Sequence, residues 1–157
     1  MKKLVSIVLL AGVFFACKPK VEYTAELSQT GELKQHMKAS GEKFFKIDSF
    51  QIAASSECID GYLKFITETL RDTINPEEAA LLSNFKSIKK SYGKYFKAKK
   101  QVDRYYGYNL KQLENLEHDL KEGIIEVKDS ANRYIQLEAT ASKNLSDIMD
   151  LNAELIP

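Results

Sequence analysis

Residues 75–123 read NPEEAALLSNFKSIKKSYGKYFKAKKQVDRYYGYNLKQLENLEHDLKEG, and this stretch decides the fold. Asn75 can cap a helix, Pro76 suits the first helical position, and the two glutamates that follow face the positive end of the helix dipole. Gly123 is the residue type with which many helices end. The stretch therefore predicts one helix from Pro76 to Glu122. One side of this helix carries a mainly apolar stripe, here called the core stripe, whose residues have the four-three spacing of a coiled coil. It consists of Leu81, Phe85, Ile88, Tyr92, Tyr95, Lys99, Val102, Tyr106, Asn109, Leu113, Leu116 and Leu120.

Two shorter stripes of the same kind flank this helix. The one before it consists of Ile52, Ser56, Ile59, Leu63, Ile66 and Leu70. The one after it follows a predicted cap at 128–130 and consists of Ala131, Tyr134, Glu138, Ala141, Leu145, Ile148, Asn152 and Leu155. Residues 22–47 are either a fourth helix or a broken extension of the second, because Gly31 and Gly41 interrupt them. We expect an all-α fold, an elongated antiparallel bundle of three or four helices with coiled-coil-like packing.

Composition excludes several classes of protein. The 157 residues include 23 Lys and Arg against 22 Asp and Glu, and 44% are hydrophobic, which is typical of one globular domain. Two cysteines cannot form a disulfide scaffold or a four-cysteine zinc site. The balanced charge gives no general reason to expect nucleic acid as a partner.

The N-terminal segment has two lysines followed by an uncharged stretch from Leu4 to Cys17, too short to span a bilayer. It resembles the signal of bacterial lipoproteins, in which a short apolar box ends in a small residue and the cysteine that becomes lipidated. Ala16 and Cys17 match that box, whereas Phe15 stands where a small residue is usual. The resemblance implies a signal peptide over 1–16, a lipidated tether over 17–21 and one helical domain over 22–157.

The same resemblance implies where in the cell the protein is located. Cys17 would carry a diacylglyceryl thioether and a further acyl chain such as palmitate, and two or more chains hold a protein on a membrane. The tether Lys18-Pro19-Lys20 has neither the Asp that retains lipoproteins in the inner membrane nor an acidic export cluster. By analogy we expect the periplasm-facing side of the outer membrane of a Gram-negative bacterium. The rest of the chain resembles the small helical lipoproteins of Bacteroidota-type bacteria in its size, in the Cys17 junction and in the stretch from 117–123 to 129–130. This resemblance implies no particular activity.

The predicted long helix is unusually basic and aromatic between Lys86 and Lys111, where Asp103 is the single acid. Two interpretations remain open in an envelope: a face that contacts anionic lipid, glycan or protein, or a solvated helix whose lysines pair with acids on neighbouring helices. Tyr92, Tyr95 and Tyr106 should pack in the core. The candidate partner-contact face consists of Lys89, Lys90, Lys94, Phe96, Lys97, Lys100, Arg104, Tyr105 and Tyr108.

Other reactive residues give weak signals. His118 and His36 are expected on the surface, because neither has the partners that a metal site or catalytic dyad needs. Cys58 is expected to be buried as a small hydrophobe, the alternative being an intermolecular disulfide. Asn109 lies in the core stripe, where it would fix the alignment of the helices.

These observations favour a binding function without catalysis. We expect a membrane-anchored envelope lipoprotein that acts as a helical binding or structural module, with no cofactor and no metal. The alternative is a carrier or chaperone for a small apolar or anionic ligand held in the bundle.

Overall fold

The computed structural model describes residues 22–69 and 74–156, here called the described chain. It forms four helices: α1 at Thr24–Phe45, α2 at Ser49–Thr69, α3 at Pro76–Glu122 and α4 at Lys128–Leu155. The predicted all-α bundle is confirmed. The proposed signal, Cys17 and Leu70 lie outside the described chain.

The predicted ends of α3 are confirmed, and both are capped. The Asn75 side chain accepts from the Glu78 amide at 2.9 Å, and the Glu78 carboxylate accepts from the Asn75 amide at 3.0 Å. This reciprocal capping box satisfies amides that would otherwise have no partner. At the other end Gly123 has a φ of 70°, so glycine is the residue that fits there. Between the caps, α3 has 47 residues and a length of about 70 Å.

Helices α1 and α2 lie one after the other along α3 and run antiparallel to it. Lys34 of α1 pairs with Glu117, near the C-terminal end of α3. Asp60 of α2 pairs with Lys89, in the N-terminal half of α3. Residues 22–47 therefore contain a separate helix, α1, and a short turn after Phe45 connects it to α2.

Helix α4 packs against both α1 and the C-terminal half of α3. It runs parallel to α1, since Lys128 at its start lies 3.7 Å from Glu26 and Asp150 near its end accepts from Ser40 at 2.8 Å. Partial burial raises the pKa of Asp150, but the hydrogen bonds from Ser40 and Lys43 outweigh burial and bring the pKa below its usual value. The main core lies between these three helices and the first turn of α2; it consists of Met37, Phe44, Ile52, Tyr95, Ala98, Val102, Leu113, Leu145 and Met149.

The predicted stripe of α4 is partly wrong. Tyr134 and Ala141 are exposed, whereas Ile135, Ser142 and Met149 are buried. Both stripes begin at Ala131, but the next buried residue is Ile135, four positions on, and not Tyr134, three positions on. The buried side of α4 is therefore rotated, because α4 packs between α1 and α3 and not against α3 alone. Residues 128–130, which were expected to cap α4, instead form its first turn; the N-cap residue is Val127, and no side chain caps the helix.

The bundle is three helices thick at one end only. Ile156, just after α4, packs on the main core near the turn between α1 and α2. Beyond its first turn, α2 packs within the described chain against α3 alone. We call α2 together with residues 76–94 of α3 the arm; it is a two-helix extension of about 30 Å.

Candidate functional site

The arm has one mainly apolar side, which we call the arm face and define by Tyr62, Phe65, Leu81 and Ile88. The Asp60–Lys89 ion pair lies along the opposite edge of the contact between α2 and α3. Near the arm face, the Tyr62 and Phe85 rings stack with centroids 6.4 Å apart. At 100° per residue, Tyr62 and Phe65 lie away from Asp60 on α2, and Leu81 and Ile88 lie to one side of Lys89 on α3. All four are large side chains that remain exposed.

The arm face continues the surface of α3 on which α4 lies. Leu81, Ile88, Tyr95 and Val102 are spaced by seven residues, so they share one stripe of the helix. Tyr95 and Val102 are 1% and 0% exposed, whereas Leu81 and Ile88 are 58% and 39% exposed. Within the described chain, the stripe is buried where α1 and α4 pack on α3 and is uncovered where α2 alone packs there. The prediction that Leu81 and Ile88 pack in a core is therefore wrong for the described chain.

Cys58 corrects another prediction. It is exposed rather than buried. It precedes the buried Ile59, but one residue turns the side chain by 100°, away from α3. It lies four residues before Tyr62 on the same side of α2, where the described chain provides no third helix to cover it.

The predicted partner-contact face lies on α3, opposite Tyr95 and Val102. Phe96, Tyr105 and Tyr108 are exposed, as expected of residues off the core stripe. The aromatic side chains have local contacts: the Arg104 guanidinium lies 5.2 Å from the Tyr105 ring centroid, and Gln112 donates to the Tyr108 hydroxyl. Of the lysines in this set, Lys89 pairs with an acid of a neighbouring helix. Exposed side chains without an ion pair in the described chain are Lys90, Lys94, Lys97 and Lys100.

Two polar residues of the α3 stripe occupy different environments. Lys99 is half-buried at the edge of the core and donates to both Asp103 carboxylate oxygens, at 3.0 and 2.9 Å. Asn109 is buried, and its Nδ2 donates to the Ala141 carbonyl of α4 at 3.3 Å. The second contact ties α3 to α4, which agrees with a role in alignment.

A groove of about 580 Å³ lies beside the connection between α3 and α4. Its lining includes Glu138, Asp119 and Tyr134. Burial raises the pKa of Glu138. No described His, Cys, Asp or Glu side chains group in threes as metal ligands would. His36 and His118 are both exposed, as the sequence predicts.

Sequence reasoning missed the aromatic part of the arm face. The predicted stripe of α2 includes Leu63 and Ile66 but omits Tyr62 and Phe65. The signal was present, because Cys58, Tyr62 and Phe65 have the four-three spacing of a second stripe beside the first. A helix with two adjacent stripes has two neighbours, and the described chain supplies one.

Comparisons with known proteins assign no family to the chain. No protein-family model matches it, and neither the curated proteins nor the solved structures gave a match. None of the helices within 22–69 and 74–156 combines the length and the apolar character needed to cross a membrane.

Proposed function

We propose that this chain is a non-catalytic helical binding module held on the bacterial envelope by lipid on Cys17, and that the arm face is its main contact surface. The observation that carries the proposal is the stripe of α3, which is buried at Tyr95 and exposed at Leu81 and Ile88. Large contiguous apolar surfaces on folded proteins mark places where another molecule binds.

The size of the arm face indicates what kind of binding to expect. Burying a large apolar side chain completely contributes about 1.5–3 kcal/mol, and these four are about half exposed already. Their burial therefore contributes about 4 kcal/mol, which is no more than the lowest estimates of the cost of association in solution. A partner that shares the membrane does not bear the whole cost, because anchoring raises its effective concentration.

The fold sets where the arm would project. Tyr23 donates its hydroxyl to the Ile125 carbonyl at 2.5 Å, so α1 begins beside the connection between α3 and α4. Only five residues separate Tyr23 from the proposed anchor at Cys17. The arm lies at the other end of α3, which is about 70 Å long. An anchored chain whose α3 stands upright on the membrane would hold its arm face well away from the lipid head groups.

The basic, aromatic side of α3 offers a second contact surface, because it lies across α3 from Leu81 and Ile88. Its lysines without an ion pair in the described chain begin within the arm, at Lys90 and Lys94, and continue toward Lys100. An anionic lipid, glycan or protein would bind on this side and not on the arm face. That electrostatic contact would weaken as salt rises.

In-cell photo-crosslinking tests the proposal. A photoreactive amino acid replaces Phe65 of the full chain, and a matched variant carries it at Leu137, an exposed apolar position of α4. We expect discrete adducts from position 65 and none from position 137. Cys17→Ala serves as the unanchored chain, in which the adducts should weaken. Equal yields from the two positions, or no adduct from either, would contradict the proposal.

A further inference from the structure

We infer that the occupant of the arm face is the arm of a second copy of this chain. The inference rests on the proposed function and identifies its partner. The two arms pack side by side with their N-terminal ends in the same direction, so that α2 of each copy lies against α3 of the other. The product is a four-helix bundle at the end of the dimer far from the proposed anchors.

The shape of the arm fits this arrangement. Two packed antiparallel helices with an apolar side are half of a four-helix bundle, and a twofold axis supplies the other half. The arm is about 30 Å long and about 20 Å wide, so its face covers about 600 Å² per copy. Two copies would bury about 1,200 Å², the lower limit of standard specific interfaces. The contact would be weak in solution and adequate between chains anchored in one membrane.

The charges of the arm favour a second copy over a generic apolar partner. In α2, three acids (Glu57, Asp60 and Glu68) outnumber one base, Lys64. In residues 76–94 of α3, four bases (Lys86, Lys89, Lys90 and Lys94) outnumber two acids, Glu77 and Glu78. The net charges are thus −2 and +2. Placing α2 against α3 of the other copy sets a helix of net charge −2 beside a helix segment of net charge +2.

The charges also select the orientation. A twofold axis parallel to the helices sets α2 against α3 in both halves of the bundle. An axis perpendicular to them would set α2 against α2 and α3 against α3, which brings like charges together. The parallel axis also places both N-termini at the same end of the dimer, as two anchors in one membrane require.

The contacts within one chain predict which residues meet between copies. The Asp60–Lys89 and Tyr62–Phe85 contacts place Cys58 level with Ser91 along the arm. A parallel twofold axis preserves these levels, so Cys58 of one copy should lie near Ser91 of the other. Both residues flank the arm face on its outer side, Cys58 on α2 and Ser91 on α3.

Cysteine crosslinking in membranes tests this geometry with the full chain. Two differently tagged chains are co-expressed, one with Cys58 in place and one with Cys58→Ser and Ser91→Cys. A short bismaleimide should join the two tags in one band. Ile88→Glu in both chains should reduce the yield about tenfold, whereas the matched Leu137→Glu, which changes an exposed leucine of α4, should leave it unchanged.

Each outcome decides the inference. A mixed-tag band that disappears with Ile88→Glu and persists with Leu137→Glu supports it. Absence of the band from stable, membrane-bound chains overturns it, as does a yield indifferent to Ile88→Glu. A Cys58 to Cys58 crosslink stronger than the mixed one overturns the parallel orientation. If the mixed band is absent but the photoreactive group at position 65 still joins a different protein, self-pairing fails and the proposed function stands.

Discussion

Gly41 provides a sharp test of the packing between α1 and α3. A Cβ atom at this position would lie 2.5 Å from Cε2, 2.6 Å from Oη and 2.7 Å from Cζ of Tyr106. Ordinary carbon contacts are about 3.5–4.0 Å long, so the overlap is about 1 Å. The Tyr106 ring is held in turn by the edge-on ring of Phe45, 5.1 Å away between centroids. Gly41→Ala must therefore push the partly buried Tyr106 ring against the half-exposed ring of Phe45.

The size of the effect follows from two opposing contributions. Replacing a helical glycine with alanine stabilises the helix by about 1 kcal/mol. Overpacking of a filled site destabilises by about 1–3 kcal/mol. Gly31→Ala is the matched control on the same helix, because its Cβ would meet nothing within 4 Å. The two variants should differ by about 2 kcal/mol in the free energy of unfolding, or by about 4–8 °C in Tm.

Thermal unfolding followed by circular dichroism measures both variants. Gly31→Ala should raise Tm, and Gly41→Ala should lower it. In a Tyr106→Leu background the ring is gone, so Gly41→Ala should become neutral or stabilising. A rise in Tm for Gly41→Ala in the wild-type background, equal to that for Gly31→Ala, would refute the close packing of these helices.

Three further measurements test other parts of the structure. Hydrogen bonds from two lysines, Lys121 first and then Lys34, lower the pKa of Glu117 from 4.5 to about 2. The stability that Glu117 contributes is therefore complete above pH 4.5 and is lost as pH falls toward 2. Glu117→Gln should lower the free energy of unfolding by about 1–2 kcal/mol at neutral pH and by little at pH 2, as measured by denaturant titration. Tyr23→Phe removes the hydrogen bond to the Ile125 carbonyl and should cost about 1 kcal/mol, read as a fall of about 2–4 °C in Tm. Leu116 and Leu81 belong to one stripe, but only Leu116 is buried. Leu116→Ala should lower the free energy of unfolding of the monomer by about 2–5 kcal/mol, and Leu81→Ala should lower it by less than about 0.5 kcal/mol in the same assay. Similar losses for the two variants would mean that the arm face is covered within the chain.

The sequence was sufficient to predict α3 because every signal that defines it is local. Asn75, Pro76 and Gly123 act within one turn of the helix ends, and the four-three spacing acts along a single helix. The register of α4 could not be predicted in the same way. Which side of α4 is buried depends on a helix more than 80 residues earlier, α1, whose existence the sequence left open. Tyr134 was therefore assigned to the core and Ile135 was not.

The candidate site was only partly predictable for a related reason. Periodicity shows that Leu81 and Ile88 belong to an apolar stripe, but it does not show how far a third helix extends to cover them. That depends on relative length: α4 has 28 residues and α3 has 47. The exposed aromatic residues on the outer side of α3 were predictable, since their exposure needs only their position off the stripe. Cys58 was not, because its exposure depends on the same uncovered side of the arm.

The most direct test of the central claim is the rate at which a maleimide labels a cysteine placed within the arm face, in a chain with Cys58→Ser and Leu81→Cys. Leu81 is 58% exposed in the isolated chain and belongs to the arm face itself, which a partner would cover. If the arm face is a contact surface, labelling should be slow in intact cells and fast for the purified chain diluted in detergent. A Cys58→Ser chain with Leu137→Cys provides the control and should label equally fast in both. Equal rates for position 81 in cells and in the diluted chain would contradict the proposal that this chain is a binding module that uses its arm.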